Sequence, residues 1–316
     1  MKRKKYFKFY SIKSLAKHLG VSEGFLIDLA NKQDGNYKFC QGVMIKNKSR
    51  DLYKANTSLK IVLNLIDKKI LNYYDFPKTF QGGIRGRALR DNAQFHTGKK
   101  YILKIDIADF FPSISPEKIF KTLKQLQIAD KPASLLTTLV TVKNPHPHLP
   151  QGFCTSPKIA SLVLLNLEKR FHNLFKEKKC DYSFWVDDIT FSSDMPIGKF
   201  KNLILKILKD EGFSVNQKKI ELLTNKERMV VTGVVVNSFP TLSNDRKKEI
   251  EKPLYCLVKF GIVDYFKKNK IEISEASITK IRSSLLGKIN FAKSINPELG
   301  IKYKKDFLKI TWELKK

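Results

Sequence analysis

Near the middle of the chain two aspartates stand side by side, Asp187 and Asp188, within Tyr182-Ser183-Phe184-Trp185-Val186-Asp187-Asp188-Ile189-Thr190-Phe191. The aromatic and β-branched residues on either side predict a β-hairpin with both carboxylates at or near its turn. Like charges held this close raise each other's pKa unless a cation neutralises them. A third acid, Asp106, ends another β-rich run, Tyr101-Ile102-Leu103-Lys104-Ile105-Asp106-Ile107. Three carboxylates converging from two neighbouring strands suit two Mg2+ ions, which take oxygen ligands and keep positions open for phosphates. The chemistry such a set could perform is two-metal nucleotidyl transfer.

Composition points to the same substrates. Lys and Arg outnumber Asp and Glu by 60 to 30, a formal charge of +30 on 316 residues. So large an excess opposes compaction and calls for a polyanionic partner. Nucleic acid is preferred over an anionic membrane surface because no basic amphipathic anchor stands out. The basic runs (Lys2 to Lys5, Lys46 to Arg50, Lys176 to Lys179, Lys302 to Lys305) are spread along the chain, which favours an enclosing groove over a sticky tail. A hydrophobic content of 42% with 22 Phe argues for a folded protein. Cys40, Cys154, Cys180 and Cys256 lack CxxC spacing, against a zinc site or disulfide scaffold and in keeping with a reducing cytoplasm. With no signal-peptide core and no apolar run of about 18 residues, a soluble protein is expected.

The elements that must position the acids follow from pattern. Residues 11–30 predict two short helices broken at Gly20, with Ser22 as an N-cap. The pair can mimic a helix-turn-helix, but a packing module against the main body is preferred, with His18 a surface or packing residue. Residues 37–54 alternate as strands, and 58–72 carry helical apolar spacing. Gln81-Gly82-Gly83-Ile84-Arg85-Gly86-Arg87 lacks the GxxxxGK[ST] phosphate loop and is expected to be a flexible basic loop near a phosphate backbone. Asp109 is expected to cap a turn. Residues 117–141 read as helical, and Leu149 to Lys158 as a turn opening a helix whose free N–H groups suit an anion or a base pair. His146 and His148 read as polar loop residues. A helix over 198–210, a strand and basic turn over 211–220, and a strand over 229–237 bent at Gly233 follow. From Asp245 onward the pattern is helical and basic, after a soft boundary near Pro240 to Asn244.

In this order the segments resemble a family. Asp106 with Phe110-Phe111, then Pro150-Gln151-Gly152 with Ser156-Pro157, then an aromatic-x-Asp-Asp hairpin, then Gly212 through Lys219, resembles the ordered palm motifs of reverse transcriptases. Asn92-Ala93-Gln94-Phe95-His96 resembles the NAxxH signature of retron reverse transcriptases, and Val231-Thr232-Gly233 their VTG signature. The whole length is similar to a stand-alone retron enzyme with no fused effector.

The resemblance implies an α+β right-hand polymerase fold. Its expected parts are an N-terminal helical segment (1–36), fingers (37–100), a palm (101–240, with part of the fingers inserted at about 115–150) and a helical thumb (241–316). It also implies a structured non-coding RNA that serves as template and primes synthesis from a guanosine 2′-OH. The product would be branched RNA-linked single-stranded DNA, working with a separate effector protein in antiphage defence. By the same resemblance Asp106, Asp187 and Asp188 are the catalytic acids, and the Ile107 carbonyl completes a site for two Mg2+ ions. Phe111 is the gate against a ribose 2′-OH. Gln151 lies by the incoming nucleotide, Lys219 by the leaving pyrophosphate, and Arg50 over the triphosphate. Trp185, Val186 and Gly233 fall at primer and template positions. Asn92, Ala93, His96, Val231, Thr232 and Gly233 are expected to support RNA recognition, with a structural role for His96 and Thr232 standing beside that reading. Trp185-Val186 replaces the usual Tyr-Ala, and Phe153-Cys154 replaces the commoner small residues after Pro-Gln-Gly.

Two rivals stand against this expectation. One is a non-catalytic nucleic-acid-binding palm, opposed by the intact acids. The other is a group II intron or diversity-generating reverse transcriptase, opposed by the two signatures and the short C-terminus.

Overall fold

Ser11 and Ser22 each turn a side-chain oxygen onto a backbone N–H of the following first turn, and two short helices start there, α1 (Ile12–Leu19) and α2 (Glu23–Asn31). The computed structural model describes residues 8–45 and 48–313; Lys2 to Lys5 and Lys46, counted above among the basic runs, lie outside the described residues. An antiparallel hairpin follows, β1 (Tyr37–Ile45) and β2 (Lys48–Ala55), then α3 (Thr57–Lys69) and α4 (Leu89–Gln94). The middle of the chain holds β3 (Tyr101–Asp106), α5 (Pro116–Gln125), α6 (Asp130–Val140), α7 (Ser156–Val163), α8 (Leu165–Phe175), β4 (Cys180–Trp185), β5 (Asp188–Ser193), α9 (Lys201–Asp210) and β6 (Glu221–Thr224). A two-residue pairing of β7 (Val230–Val231) with β8 (Val234–Val235) precedes α10 (Asn244–Lys268), α11 (Glu275–Ile295) and α12 (Pro297–Leu308).

Two compact units emerge. The first comprises the chain through Arg87, Leu103–Phe191 and Pro196–Leu222; the second comprises Ala88–Ile102, Ser192–Met195 and everything from Leu223 onward. In the first, β4-β5-β3-β6 is the strand order of a four-stranded sheet. Its aromatic core centres on Phe171, Phe184 and Phe191, with Phe80 stacked on Phe184 at 4.8 Å between ring centroids. In the second, Ala93 and Ile102 are buried with Val231, Val234, Leu254, Leu257, Ile289 and Phe307.

The N-terminal helices are a packing module, as preferred from the sequence. His18 Nε2 meets the Lys69 carbonyl at 3.0 Å, Lys69 Nζ donates to the Leu19 carbonyl, and Gln33 Nε2 donates to the Thr138 and Thr141 carbonyls. Cys40, Cys154 and Cys256 are free thiols. Among the described residues no helix is long and apolar enough to cross a membrane.

Three elements differ from expectation. Residues 117–141 form two helices, because Gln127 takes a left-handed backbone (φ 65) that no α-helix continues through. Residues 229–237 are not one strand but a tight hairpin: Thr232 and Gly233 both have positive φ (48 and 83), the signature of a type I′ turn. The strand expected within 211–220 is reduced to a single bridge between Val215 and Ile107.

One buried ion pair joins α7 to α3, with Lys158 Nζ 2.6 Å from Asp67 Oδ1 and both side chains largely shielded. Removing one partner strands the other charge in low dielectric, at a cost of about 3 kcal/mol. Asp67→Ala is therefore expected to lower stability by roughly that amount in denaturant titrations. The double variant Asp67→Leu/Lys158→Met is expected to recover most of it.

Candidate active site

The acids are gathered by backbone hydrogen bonds before any side chain is considered. Asp106 is the last residue of β3, Asp188 the first of β5, and Asp187 lies in the turn between β4 and β5. The Ile107 N–H donates to the Asp187 carbonyl at 3.1 Å, tying the end of β3 to that turn. Ala108 N–H donates to Ser214 and Asn216 N–H to the Asp106 carbonyl, which carries the following segment past the site. That segment brings Lys219 Nζ to 2.7 Å from Asp106 Oδ1.

The turn itself is strained. Val186 has φ 61, a left-handed conformation that a β-branched residue adopts at a cost of ~1–3 kcal/mol. Strain of this kind persists only where the surroundings over-determine it, and here the turn must present Asp187 and Asp188 next to Asp106.

Electrostatics follow from the crowding. Burial is the first cause lifting the Asp188 carboxyl to about 6, with the charges of Asp187 and Asp106 adding to it. Burial likewise raises Asp187, opposed by its own backbone N–H and by the positive charges of Lys219 and Arg50. Arg50, exposed on β2, is near enough for its positive charge to act on Asp187. The Lys219 ammonium is held protonated above its ordinary range, first by its hydrogen bond to Asp106. Asp187 and Asp188, oxygen donors that burial makes resist ionisation, are chemically suited to a hard divalent cation. Among the described residues, however, no group of three or more His, Cys, Asp or Glu side chains is drawn together as a closed metal cage. The cation in contact with Asp106 is Lys219.

Around the acids the other expected residues fall into distinct settings. Phe110 is buried, with its ring against Phe213, whereas Phe111 is partly exposed. Gln151 is partly exposed, and its carbonyl accepts from Tyr53 N–H at 2.8 Å. Gly152 follows at φ 121, where an added Cβ would stand 2.4 Å from the Tyr53 carbonyl oxygen. The Pro150-Gln151-Gly152 turn is therefore seated on the same β2 strand that carries Arg50. Trp185 and Val186 are each half-buried.

Two expectations need correcting. The Gln81–Arg87 segment is not a flexible loop: Gln81 and Gly82 N–H groups both donate to the Phe184 carbonyl, and the Arg87 guanidinium donates to the carbonyls of Phe76, Pro77 and Phe80. Only Arg85 remains an exposed cation of that run suited to a phosphate, because Arg87 spends its donors on backbone. The signature residues Asn92, Ala93, His96 and Val231 are fully buried, so they do not present their side chains to RNA. They build structure instead. Asn92 Nδ2 donates to Thr232 Oγ1 at 3.2 Å, Ala93 and Val231 share one core, and His96 Nδ1 meets Ser192 Oγ at 2.8 Å. Burial, aided by Lys99, drives the His96 imidazole down to about 3, so it is neutral at physiological pH. The two signatures are one device, which leaves Gln94 exposed and Phe95, Thr232 and Gly233 partly so.

Sequence reasoning missed Tyr53 and Arg87. Tyr53 acts through its backbone, for which no side-chain signal exists. Arg87 sat in a basic run that suggested phosphate.

Comparison with known proteins agrees with this geometry. Residues 31–236 match the family model described as Reverse transcriptase (RNA-dependent DNA polymerase). The retron Se72 reverse transcriptase of Salmonella heidelberg is 31% identical over 262 residues, covering 79% of this chain and 68% of that protein. The chain belongs to the retron reverse transcriptases. The retron Mx65 reverse transcriptase of Myxococcus xanthus is 29% identical over 69% of this chain and 51% of that protein. The retron Ec86 reverse transcriptase of Escherichia coli is 27% identical over 66% of each. This reverse transcriptase accordingly has the right-hand polymerase fold and the activity class of its family, RNA-dependent DNA polymerase.

In the reverse transcriptase without metal, Asp188 is a source of instability at neutral pH. Its folded pKa lies above the unfolded value, so the folded state binds the extra proton and loses stability as pH rises from about 4 to about 6. Asp188→Asn is expected to raise stability by on the order of 1–2 kcal/mol above pH 6, fading toward pH 4. Thermal unfolding in chelator across that range measures it.

Proposed function

We propose that this chain reverse-transcribes part of a cognate structured non-coding RNA, primed from a guanosine 2′-OH, to give branched RNA-linked single-stranded DNA. The observation that carries the reading is the junction of Asp106 with the Asp187–Asp188 turn, where three carboxylates share one desolvated neighbourhood. The reaction is in-line attack of the primer hydroxyl on the α-phosphate of a dNTP, with pyrophosphate leaving.

Asp106, Asp187 and Asp188, with the Ile107 carbonyl, would hold Mg2+, which when bound supplies positive charge at the reacting oxygens and a more acidic primer hydroxyl. Lys219, paired with Asp106 in this structure, would turn its ammonium toward the leaving pyrophosphate. Arg50 and Gln151 bind and orient the triphosphate and base. The half-exposed ring of Phe111 excludes a ribose 2′-OH. Trp185 offers an aromatic surface under the primer end. In this reading the first unit supplies fingers and palm, and α10 to α12 supply the thumb. The RNA and its DNA product are the partners, in the cytoplasm, and a separate effector protein couples the complex to antiphage defence.

Incubating the protein with its own transcript, dNTPs and Mg2+ tests the reading: one defined branched DNA supports it, whereas heterogeneous cDNA would point to another class of reverse transcriptase. Asp187→Asn is expected to abolish DNA synthesis while RNA affinity, measured by filter binding, stays within about threefold. Phe111→Ala is expected to admit ribonucleotides, shifting the dNTP to rNTP preference by at least tenfold, on the order of one lost steric contact in primer-extension assays.

A further inference from the structure

The glycine pair Gly82-Gly83 lies between the two halves of the site, inside the first unit. Its strand-like approach is fixed at both ends. Phe80 bridges Phe184 in parallel, the Phe184 N–H donates to the Thr79 carbonyl, and its carbonyl receives Gln81 and Gly82 N–H at 2.8 and 3.1 Å. Beyond the pair, Arg87 reaches back to three carbonyls at Phe76, Pro77 and Phe80. A segment anchored in this way cannot slide to make room.

Each glycine meets a different neighbour. A Cβ on Gly82 would stand 2.6 Å from the Val186 nitrogen and 2.8 Å from the Trp185 carbonyl carbon, the backbone immediately before Asp187. A Cβ on Gly83, at φ 73, would stand 2.4 Å from Pro157 Cβ. Pro157 lies in the first turn of α7, and the neighbouring Ser156 Oγ donates to the Pro150 carbonyl at 2.6 Å, one residue from Gln151. We propose that Gly82 and Gly83 are paired positioning residues, Gly82 seating the turn that presents Asp187 and Gly83 seating the helix start that fixes the Gln151 loop. The proposal rests on the polymerase reading above and adds to it a single loop that spaces metal-binding turn and nucleotide loop.

Two adjacent residues with two separate neighbours give two kinetic signatures. Gly82→Ala moves the carboxylates, so kcat is expected to fall by about 10²-fold with KM for dNTP within about threefold, the size of effect that a misplacement near 1 Å produces. Gly83→Asn keeps the left-handed backbone but adds the Cβ, so KM for dNTP is expected to rise roughly fivefold with kcat within about threefold. Adding Pro157→Gly, which removes the opposing Cβ, is expected to restore KM. The chain has two tryptophans, Trp185 and Trp312. In a Trp312→Phe background the emission of Trp185 is expected to shift in Gly82→Ala and not in Gly83→Asn.

Parent kinetics and emission in Gly82→Ala, or equal losses of kcat and KM in both variants, would overturn the proposal. If Gly82→Ala fails to fold, the Gly83→Asn and Pro157→Gly pair decides: an unchanged KM, or no rescue, overturns it. If the parent itself makes no DNA on its own transcript, the polymerase reading falls, and the Trp185 emission alone decides the seat of Gly82.

Discussion

Everything in the first unit answers to one constraint, the placing of three carboxylates where water is scarce. Burial raises Asp188 and Asp187, and each negative charge raises the next. Such a cluster is unfavourable in the folded chain taken alone, and the structure meets it with cations at close range. Lys219 lies directly on Asp106, and Arg50 and Lys104 lower the acids from further away. Lys104 is in turn restrained by Glu221 at 2.8 Å, so its charge is shared between β6 and the site. The excess of basic residues that marked the chain as a polyanion binder is, in this neighbourhood, also what makes an acidic site tolerable.

The backbone around the acids is built to hold a shape that local preferences resist. Val186 is left-handed although valine disfavours it, and the approach of Gly82 leaves no room for a side chain beside it. Tyr53 donates its N–H to the Gln151 carbonyl and so joins the β1–β2 hairpin to the Pro-Gln-Gly turn without using its ring. The Tyr53 ring instead packs by His148, and its hydroxyl donates to the Asn144 carbonyl. The same residue therefore anchors both the Pro-Gln-Gly turn and the loop that leads into it.

Much of this was legible in the sequence. The acids at strand ends, the helix start at Ser22, the helical spacing over 58–72, the helical C-terminal stretch and the ordered motifs all rest on local chemistry, and local chemistry is where pattern reasoning is strong. What escaped was non-local. The break at Gln127 and the turn at Thr232 need left-handed residues that are not glycine, and composition gives no warning of them. The Gly-rich segment looked free because its anchors, the Phe184 carbonyl and the Arg87 carbonyl clamp, are set by tertiary pairing. Asn92, His96 and Val231 looked like ligand contacts because polar or distinctive residues in a signature suggest a surface. Burial turned them into framework.

The bond between Asn92 and Thr232 has a practical corollary for recombination among these enzymes. The chain passes between its two units at Arg87–Ala88, Ile102–Leu103, Phe191–Ser192, Met195–Pro196 and Leu222–Leu223. A crossover placed at Leu223 alone would graft a foreign turn onto a resident Asn92, and foreign core residues onto resident Ala93 and Ile102. A hybrid that exchanges the C-terminal helices has to bring the fifteen-residue insert Ala88–Ile102 and the short stretch Ser192–Met195 with them, so the coding unit is split although the physical unit is whole.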